Sequence, residues 1–333
     1  MSTKAKNTLN LCSLIVFFMM VGTYIGGLAV NIQATPINPT SIPTVGNAEL
    51  QGDIWYVDGN RLNNSGDGKT WASAYKLLAT AMAASHADIA RSSDRQWAAR
   101  NTIYVKGDEI EEDITKLAQK TDIIGVGSNS GYGKAGITGT WIIPDTVNYM
   151  GCHFYNMMFT DEGATAIWDV DTQSGLEFHE CLFDSGTSTT IGIELNESDL
   201  LVIDNCEFTV VSATKGFSTA AIVVVNATNV LYDIKITNNI IETAGIGIDW
   251  NESDSHNCWI ADNYIFATGL VIDDDGDQCR VVNNRLITEV DVDTHGENTG
   301  WDFNPNLSVG NELIGSASEV SNTIPIVEES DAT

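Results

Sequence analysis

Positive charge is scarce in this chain. Sixteen Lys and Arg stand against 45 Asp and Glu in 333 residues, a formal net charge of −29, and only Lys215, Lys235, Arg280 and Arg285 follow Lys134. A surface of one sign repels nucleic acid and anionic headgroups and stays soluble, so nucleic acid is excluded as a partner. It also disfavours a polyanionic substrate unless a divalent cation bridges the two. Several motifs are missing. Gly125-Val-Gly127 lacks the full Gly-x-Gly-x-x-Gly pattern and Gly133-Lys134 lacks the earlier Gly at Walker spacing, which removes a phosphate loop. The six cysteines form no Cys-x-x-Cys and no Cys/His metal spacing. No Gly-x-Ser-x-Gly elbow exists, so a nucleophilic Ser triad has no support.

From about His153 to Leu313 one short phrase recurs seven times: Phe154-Tyr-Asn-Met-Met-Phe159, Phe178-His-Glu-Cys-Leu-Phe183, Ile203-Asp-Asn-Cys-Glu-Phe208, Ile236-Thr-Asn-Asn-Ile-Ile241, Ile260-Ala-Asp-Asn-Tyr-Ile265, Val281-Val-Asn-Asn-Arg-Leu286 and Ser308-Val-Gly-Asn-Glu-Leu313. Successive copies start 24, 25, 33, 24, 21 and 27 residues apart. Repeats of this length with period-2 apolar runs predict a solenoid of short strands. A second apolar run follows the copies, as in Ile191-Gly-Ile193, Ile246-Gly-Ile248, Leu270-Val-Ile272, Val290-Asp-Val292 and Trp301-Asp-Phe303, so each turn carries at least two strands. Stacked turns put equivalent residues about 4.8 Å apart, and each alignment column becomes a ladder. The third column is Asn156, Glu180, Asn205, Asn238, Asp262 and Asn283; the fourth is Cys181, Cys206, Asn239, Asn263, Asn284 and Asn311. Asn tolerates left-handed backbone at a bend, and stacked amides can bond from rung to rung.

On these residues the chain resembles, over roughly 53–315, the pectin-lyase-like superfamily, and within it non-enzymatic surface or phage-virion proteins. The opening Trp55-Tyr-Val-Asp-Gly59, the Ala-rich stretch after Gly66-Asp-Gly68, Ile103-Tyr-Val-Lys-Gly107 and Ile123-Ile-Gly-Val-Gly127 extend the likeness upstream. The resemblance implies an all-β chain, a single-stranded right-handed parallel β-helix with an N-terminal capping helix, and it admits a homotrimer. The expected organisation is a signal peptide or membrane anchor over 1–34, with membrane contact only through the apolar run 9–30; a Pro-rich linker over 35–52; strand and capping helix over 53–100; the β-helix over 101–315; and an acidic tail over 316–333. A helix is expected within Trp71–Ile89, with Trp97 in the same plug over the open mouth of the coil.

The columns also sort the chemistry-bearing residues. Cys181/Cys206 and Cys258/Cys279 fall on adjacent rungs, close enough for disulfides and equally for stacked thiols. Asp169, Glu194, Asp249, Asp273 and Asp293 each follow a second-strand run by one position. Carboxylates stacked about 5 Å apart repel, which favours protonation or attracts a cation. That spacing lies near the separation used by retaining glycosidases. Asp249, Asp273, Asp293 and the nearby His295 are therefore the candidate catalytic groups. Asp273, Asp275 and Asp277 resemble half a calcium loop, without the downstream Glu of an EF-hand, and are candidate Ca2+ ligands. A solvated acidic face is the third alternative. His86, His153, His179 and His256 read as structural or surface residues.

Two functions stay open. One is a secreted, cell-surface or virion component that contacts glycans or neighbouring surface or virion proteins, with Trp250, Trp259 and Trp301 as aromatic platforms. The other is a polysaccharide lyase or glycoside hydrolase using the acid ladder. Of the polygalacturonase-like motifs only Asp-Asp at 273–275 and His295-Gly296 have counterparts, and Arg280 and Arg285 are the only Arg residues after residue 134 to serve as a lyase base.

Overall fold

The computed structural model describes residues 52–323 except 108, 128–132, 145–148, 162, 187–188, 197, 210–215, 226–230, 251–254, 275–278, 289–300, 304–307 and 316–321. The expected leader or anchor, most of the linker, and the tail after 323 lie outside the described residues, as do Asp275, Asp277, Asp293 and His295.

Three parallel sheets run the length of the coil. The first takes, in order, Ile54–Asp58, Asn101–Lys106, Thr121–Gly125, Cys152–Tyr155, Glu177–His179, Val202–Asp204, Lys235–Thr237, Cys258–Ala261, Cys279–Val282 and Ser308–Val309. The second begins at Ile110–Glu111 and Ala135–Thr138, continues through Met157–Thr160 and Leu182–Asp184, and ends with Asn322–Thr323 paired antiparallel to Glu312–Gly315. The third holds Trp141–Ile143, Ala166–Asp171, Ile191–Asn196, Ala220–Val224, Ile246–Trp250, Ile272–Asp274 and Trp301–Phe303. This is a right-handed parallel β-helix, with three strands to a full turn.

The repeated phrase turns out to be a corner. Its first two residues end a strand of the first sheet and its last two begin the second sheet. The third column makes the bend: Asn156, Glu180, Asn205, Asn238, Asp262 and Asn283 all have φ between 53° and 59°, and Gly310 has 75°. Asn and Asp reach this left-handed region at low cost, which explains the column's composition. The fourth column points inward. Asn239, Asn263, Asn284 and Asn311 are at most 2% exposed. Each Nδ2 donates to a carbonyl of the preceding rung, Ile203, Ile236, Ile260 and Val281 respectively, at 2.7–3.0 Å. Each Oδ1 accepts the preceding rung's backbone N–H at 2.8–2.9 Å. Where the column reads Cys, the thiols of Cys181 and Cys206 donate to Phe154 O and Phe178 O at 3.5 Å, a weaker version of the same bond. Cys152, Cys181 and Cys206 are buried and form no disulfide, so Cys181 and Cys206 are stacked thiols. Burial pushes Cys152 up to about 12 and Cys206 well above the usual thiol range, which keeps both protonated.

Inside, identical or similar side chains stack rung on rung. Phe183 lies over Phe208 at 4.5 Å and 7°, Trp141 over Trp168 at 4.1 Å and 17°, and Phe154 over Phe178 at 5.5 Å and 16°. Toward the C-terminal end the same columns narrow to Ile241, Ile265 and Leu286, paired in register.

The cap is α1 (Leu78–Ile89), preceded by a 3-10 turn at Trp71–Ser73 and followed by α2 (Ser93–Ala98). Leu78, Ala81 and Met82 join the interior cluster and close its N-terminal end. Leu77 at the N-cap has no side chain able to accept, so Glu112 serves instead: its Oε1 and Oε2 take the N–H groups of Leu78 and Ala79 at 2.6 and 3.0 Å. Arg95, 1% exposed, ties α2 to α1 through the Asp88 carboxylate and carbonyl. Trp97 is not part of the plug; it sits on the short outer helix and is 84% exposed.

Candidate functional site

In a parallel strand alternate residues leave the core, so each sheet of the coil shows outward columns of side chains one rung apart. The third sheet carries the acids. Its register runs Ile142, Asp169, Glu194, Val223, Asp249, Asp273, Asp302. Two features differ from the sequence expectation. Val223 divides the ladder into Asp169–Glu194 and a second group at Asp249 and Asp273. The residue registered beside Asp273 is Asp302, on Trp301–Phe303, while Asp293 lies outside the described residues. Asp169 and Glu194 are half-buried, and both carboxyls are raised above their usual range. Desolvation is the larger cause for each, followed by Asp171 for Asp169 and by Asp169 and Asp171 for Glu194. Asn196 Nδ2 lies 3.4 Å from Asp169 Oδ1. Among the described residues no three His, Cys, Asp or Glu side chains form a metal-binding group.

The first sheet carries a different arrangement, which histidines read one at a time do not reveal. One outward column reads Tyr56, Tyr104, Ile124, Tyr155, His179, Asp204 and Thr237. The column beside it reads Thr102, Asp122, His153 and Glu177. At the N-terminal end Tyr56 packs on Trp71 at 4.8 Å and lies 5.9 Å from Tyr104. Farther along, Tyr155 and His179 stack at 5.0 Å and 10°.

Charges interlock beside these rings. Arg100 Nη1 donates to Asp122 at 2.7 Å and Nη2 lies 3.1 Å from His153 Nε2. His153 Nδ1 lies 3.3 Å from Asp122 and 3.5 Å from Glu177. His179 Nε2 lies 2.9 Å from Glu177 Oε2, and its Nδ1 is 3.9 Å from Asp204, whose carboxylate also accepts from Thr237 at 2.6 Å and Asn238 at 2.9 Å. The hydrogen bond with Glu177 raises His179 above the usual imidazole value and lowers Glu177 below the usual carboxylate value. Desolvation, with Asp122 and Glu177 nearby, raises Tyr155, so its phenol stays protonated. The surface is thus a strip of flat rings edged by carboxylates and imidazoles.

The expected aromatic platforms fare differently. Trp250 is 1% exposed and belongs to the core. Trp259 is half-buried beneath the Arg280 guanidinium, 4.9 Å from its ring centre. The side chain of Trp301 lies outside the described residues.

No family model and no curated protein matches this sequence. Among solved structures, the chain is similar to the pectate lyase Pel9A at 12% identity, covering 81% of this chain and 78% of that one with a TM-score of 0.40. It is also similar to ORF18 of Geobacillus virus E2 at 11% identity and a TM-score of 0.34, covering 82% of this chain and 62% of that one.

Proposed function

We propose that this protein is an exported or virion-borne binding scaffold that holds neutral glycans along the outer face of its first sheet. The observation that carries the reading is the column holding Tyr56, Tyr104, Tyr155 and His179, with Trp71 packed on Tyr56 at its N-terminal end, running beside Asp122, His153 and Glu177. A pyranose presents an apolar C–H face and a hydroxyl rim. Flat rings match the face, and carboxylates and imidazoles match the rim. Tyr56 and Tyr104 stand on adjacent rungs, as do Tyr155 and His179, with Ile124 between the two pairs, so a chain lying along the axis meets two ring pairs separated by one aliphatic step. The interior suits a scaffold: asparagine bonds and ring stacks join each rung to the next, which holds the outer columns rigidly in register. An acidic surface with few cations favours a neutral polymer over a polyanion.

The test is affinity electrophoresis of the full chain through gels containing neutral polysaccharides, compared with Tyr104→Ala/Tyr155→Ala. The expected result is retardation of the native chain by at least one neutral glycan and a loss of about tenfold in affinity for the variant. Equal retardation of both proteins, or none of either, would contradict the assignment.

A second reading rests on Asp169 and Glu194. Two half-buried carboxyls on adjacent rungs, both raised above their usual range chiefly by desolvation, form the elements of an acid and a nucleophile for glycosidic cleavage. Release of new reducing ends that disappears in Asp169→Asn would favour it.

A further inference from the structure

A cavity of about 290 Å³ lies beside the cap, between α1 and the segment 113–117 that precedes the strand Thr121–Gly125. Ala79, Ala83, Ile114 and Leu117 make most of its wall apolar. The rings of His86 and Tyr149 line it as well, set edge to face at 5.3 Å. His86 Nδ1 is buried and has no hydrogen-bond partner, a rare condition for a buried polar atom, which leaves the ring unanchored through that nitrogen. Desolvation and, secondarily, Lys116 lower His86 below its usual value, so the imidazole is neutral and has a donor N–H to offer. Lys116 lines the cavity, is exposed, and makes no ion pair among the described residues. Asp113, the other charge on the wall, is engaged: its Oδ1 accepts from both the N–H and the hydroxyl of Thr140 at 3.0 Å.

We infer that this cavity binds a small organic carboxylate with an apolar, ring-sized body, its carboxylate held by the Lys116 ammonium and the His86 N–H and its body against Tyr149 and the aliphatic wall. The volume admits a body of that size and not an oligomer. Lys116, the one free cation on the wall among the described residues, selects a single negative charge. The site lies apart from both outer columns described above, and its occupancy is independent of glycan binding there.

The experiment titrates the full-length protein with benzoate, benzyl alcohol and acetate, following the His86 imidazole Cε1–H signal by NMR. These probes are, in turn, a carboxylate with a ring, the ring without the charge, and the charge without the ring. The expected result is a saturable shift of the His86 signal with benzoate, at least tenfold tighter than with either other probe. Lys116→Gln, a substitution at an exposed side chain, is expected to weaken benzoate about tenfold, the shift in each protein being read against its own unliganded His86 signal. An unmoved His86 signal with benzoate overturns the inference. So does benzyl alcohol binding as tightly as benzoate, or benzoate binding unchanged in Lys116→Gln.

Discussion

Asn263 is the perturbation that best probes how the rungs are joined. Its side chain makes four hydrogen bonds: Nδ2 to Ile236 O and to Asn284 Oδ1, both at 2.9 Å, and Oδ1 from Asn239 N at 2.9 Å and Asn239 Nδ2 at 3.0 Å. Ala in its place leaves the Asn239 N–H without that acceptor in a site where the native side chain is 2% exposed. Asn239 Nδ2 keeps its bond to Ile203 O, and Asn284 Oδ1 keeps the one from the Asn263 backbone, so those two groups lose only part of their pairing. An orphaned buried donor costs about 1–3 kcal/mol and each of the three further lost bonds about 1 kcal/mol, so the total is about 4–6 kcal/mol. For a domain of this size that corresponds to a Tm lower by roughly 7–10 °C. A solenoid can open locally, so calorimetry should be joined by amide exchange, with the Asn239 N–H and its neighbours losing protection first. The control is Asn205→Gly, at an exposed bend residue with φ 54°, where glycine meets no steric penalty and the change should stay within about 0.5 kcal/mol. A loss below about 1 kcal/mol for Asn263→Ala would falsify the view that the amide column fastens the coil.

Three other outcomes follow from the same geometry. Cys206→Asn should fold and gain about 1 kcal/mol in chemical denaturation, because its amide replaces a thiol contact to Phe178 O with a full hydrogen bond and extends the column from Asn239; a loss would show that the Cys positions differ in shape. Trp168→Ala should cost about 3–5 kcal/mol, since it empties the centre of the stack formed with Trp141, Phe154, Phe159 and Phe178. The His179–Glu177 pair should give pH-dependent stability. His179 is raised from 6.5, so its contribution is complete below that pH and is lost as pH rises through the folded value; Glu177 is lowered from 4.5, so its contribution is present above that pH and is lost as pH falls through the folded value. The stability gap between the native chain and Glu177→Gln should therefore be greatest between pH 4.5 and 6.5 and shrink in alkali, with a maximum of about 1 kcal/mol at this half-exposed position.

The coil was legible because two alignment columns have single physical jobs. The third column needs left-handed backbone and the fourth needs a buried donor–acceptor, and each requirement leaves the same few residue types on every rung. The third strand of each turn was harder to place, since a run of three alternating residues is a short signal. Val290-Asp-Val292 and Trp301-Asp-Phe303 fit the pattern equally well in sequence, and the register of Trp301–Phe303 with Ile272–Asp274 is what identifies the latter as a strand of the third sheet. Trp250 has the composition of a platform, but its position one step past Asp249 turns it inward. The first-sheet strip was hidden for another reason. Of the carboxylates around His153 and His179, only Glu177 is near in sequence, and only to His179; Asp122 and Asp204 arrive from neighbouring rungs. The signal that could have found the strip is the alignment carried upstream to Tyr56 and Tyr104, each of which directly follows an inward residue and so falls in one outward column with Tyr155.

The most direct measurement incubates the full chain with neutral polysaccharides that retard it, and assays both retention and new reducing ends. The account predicts retention that falls about tenfold in Tyr104→Ala/Tyr155→Ala with no new ends formed. New reducing ends that persist in that variant and vanish in Asp169→Asn would contradict it and move the function to the third sheet.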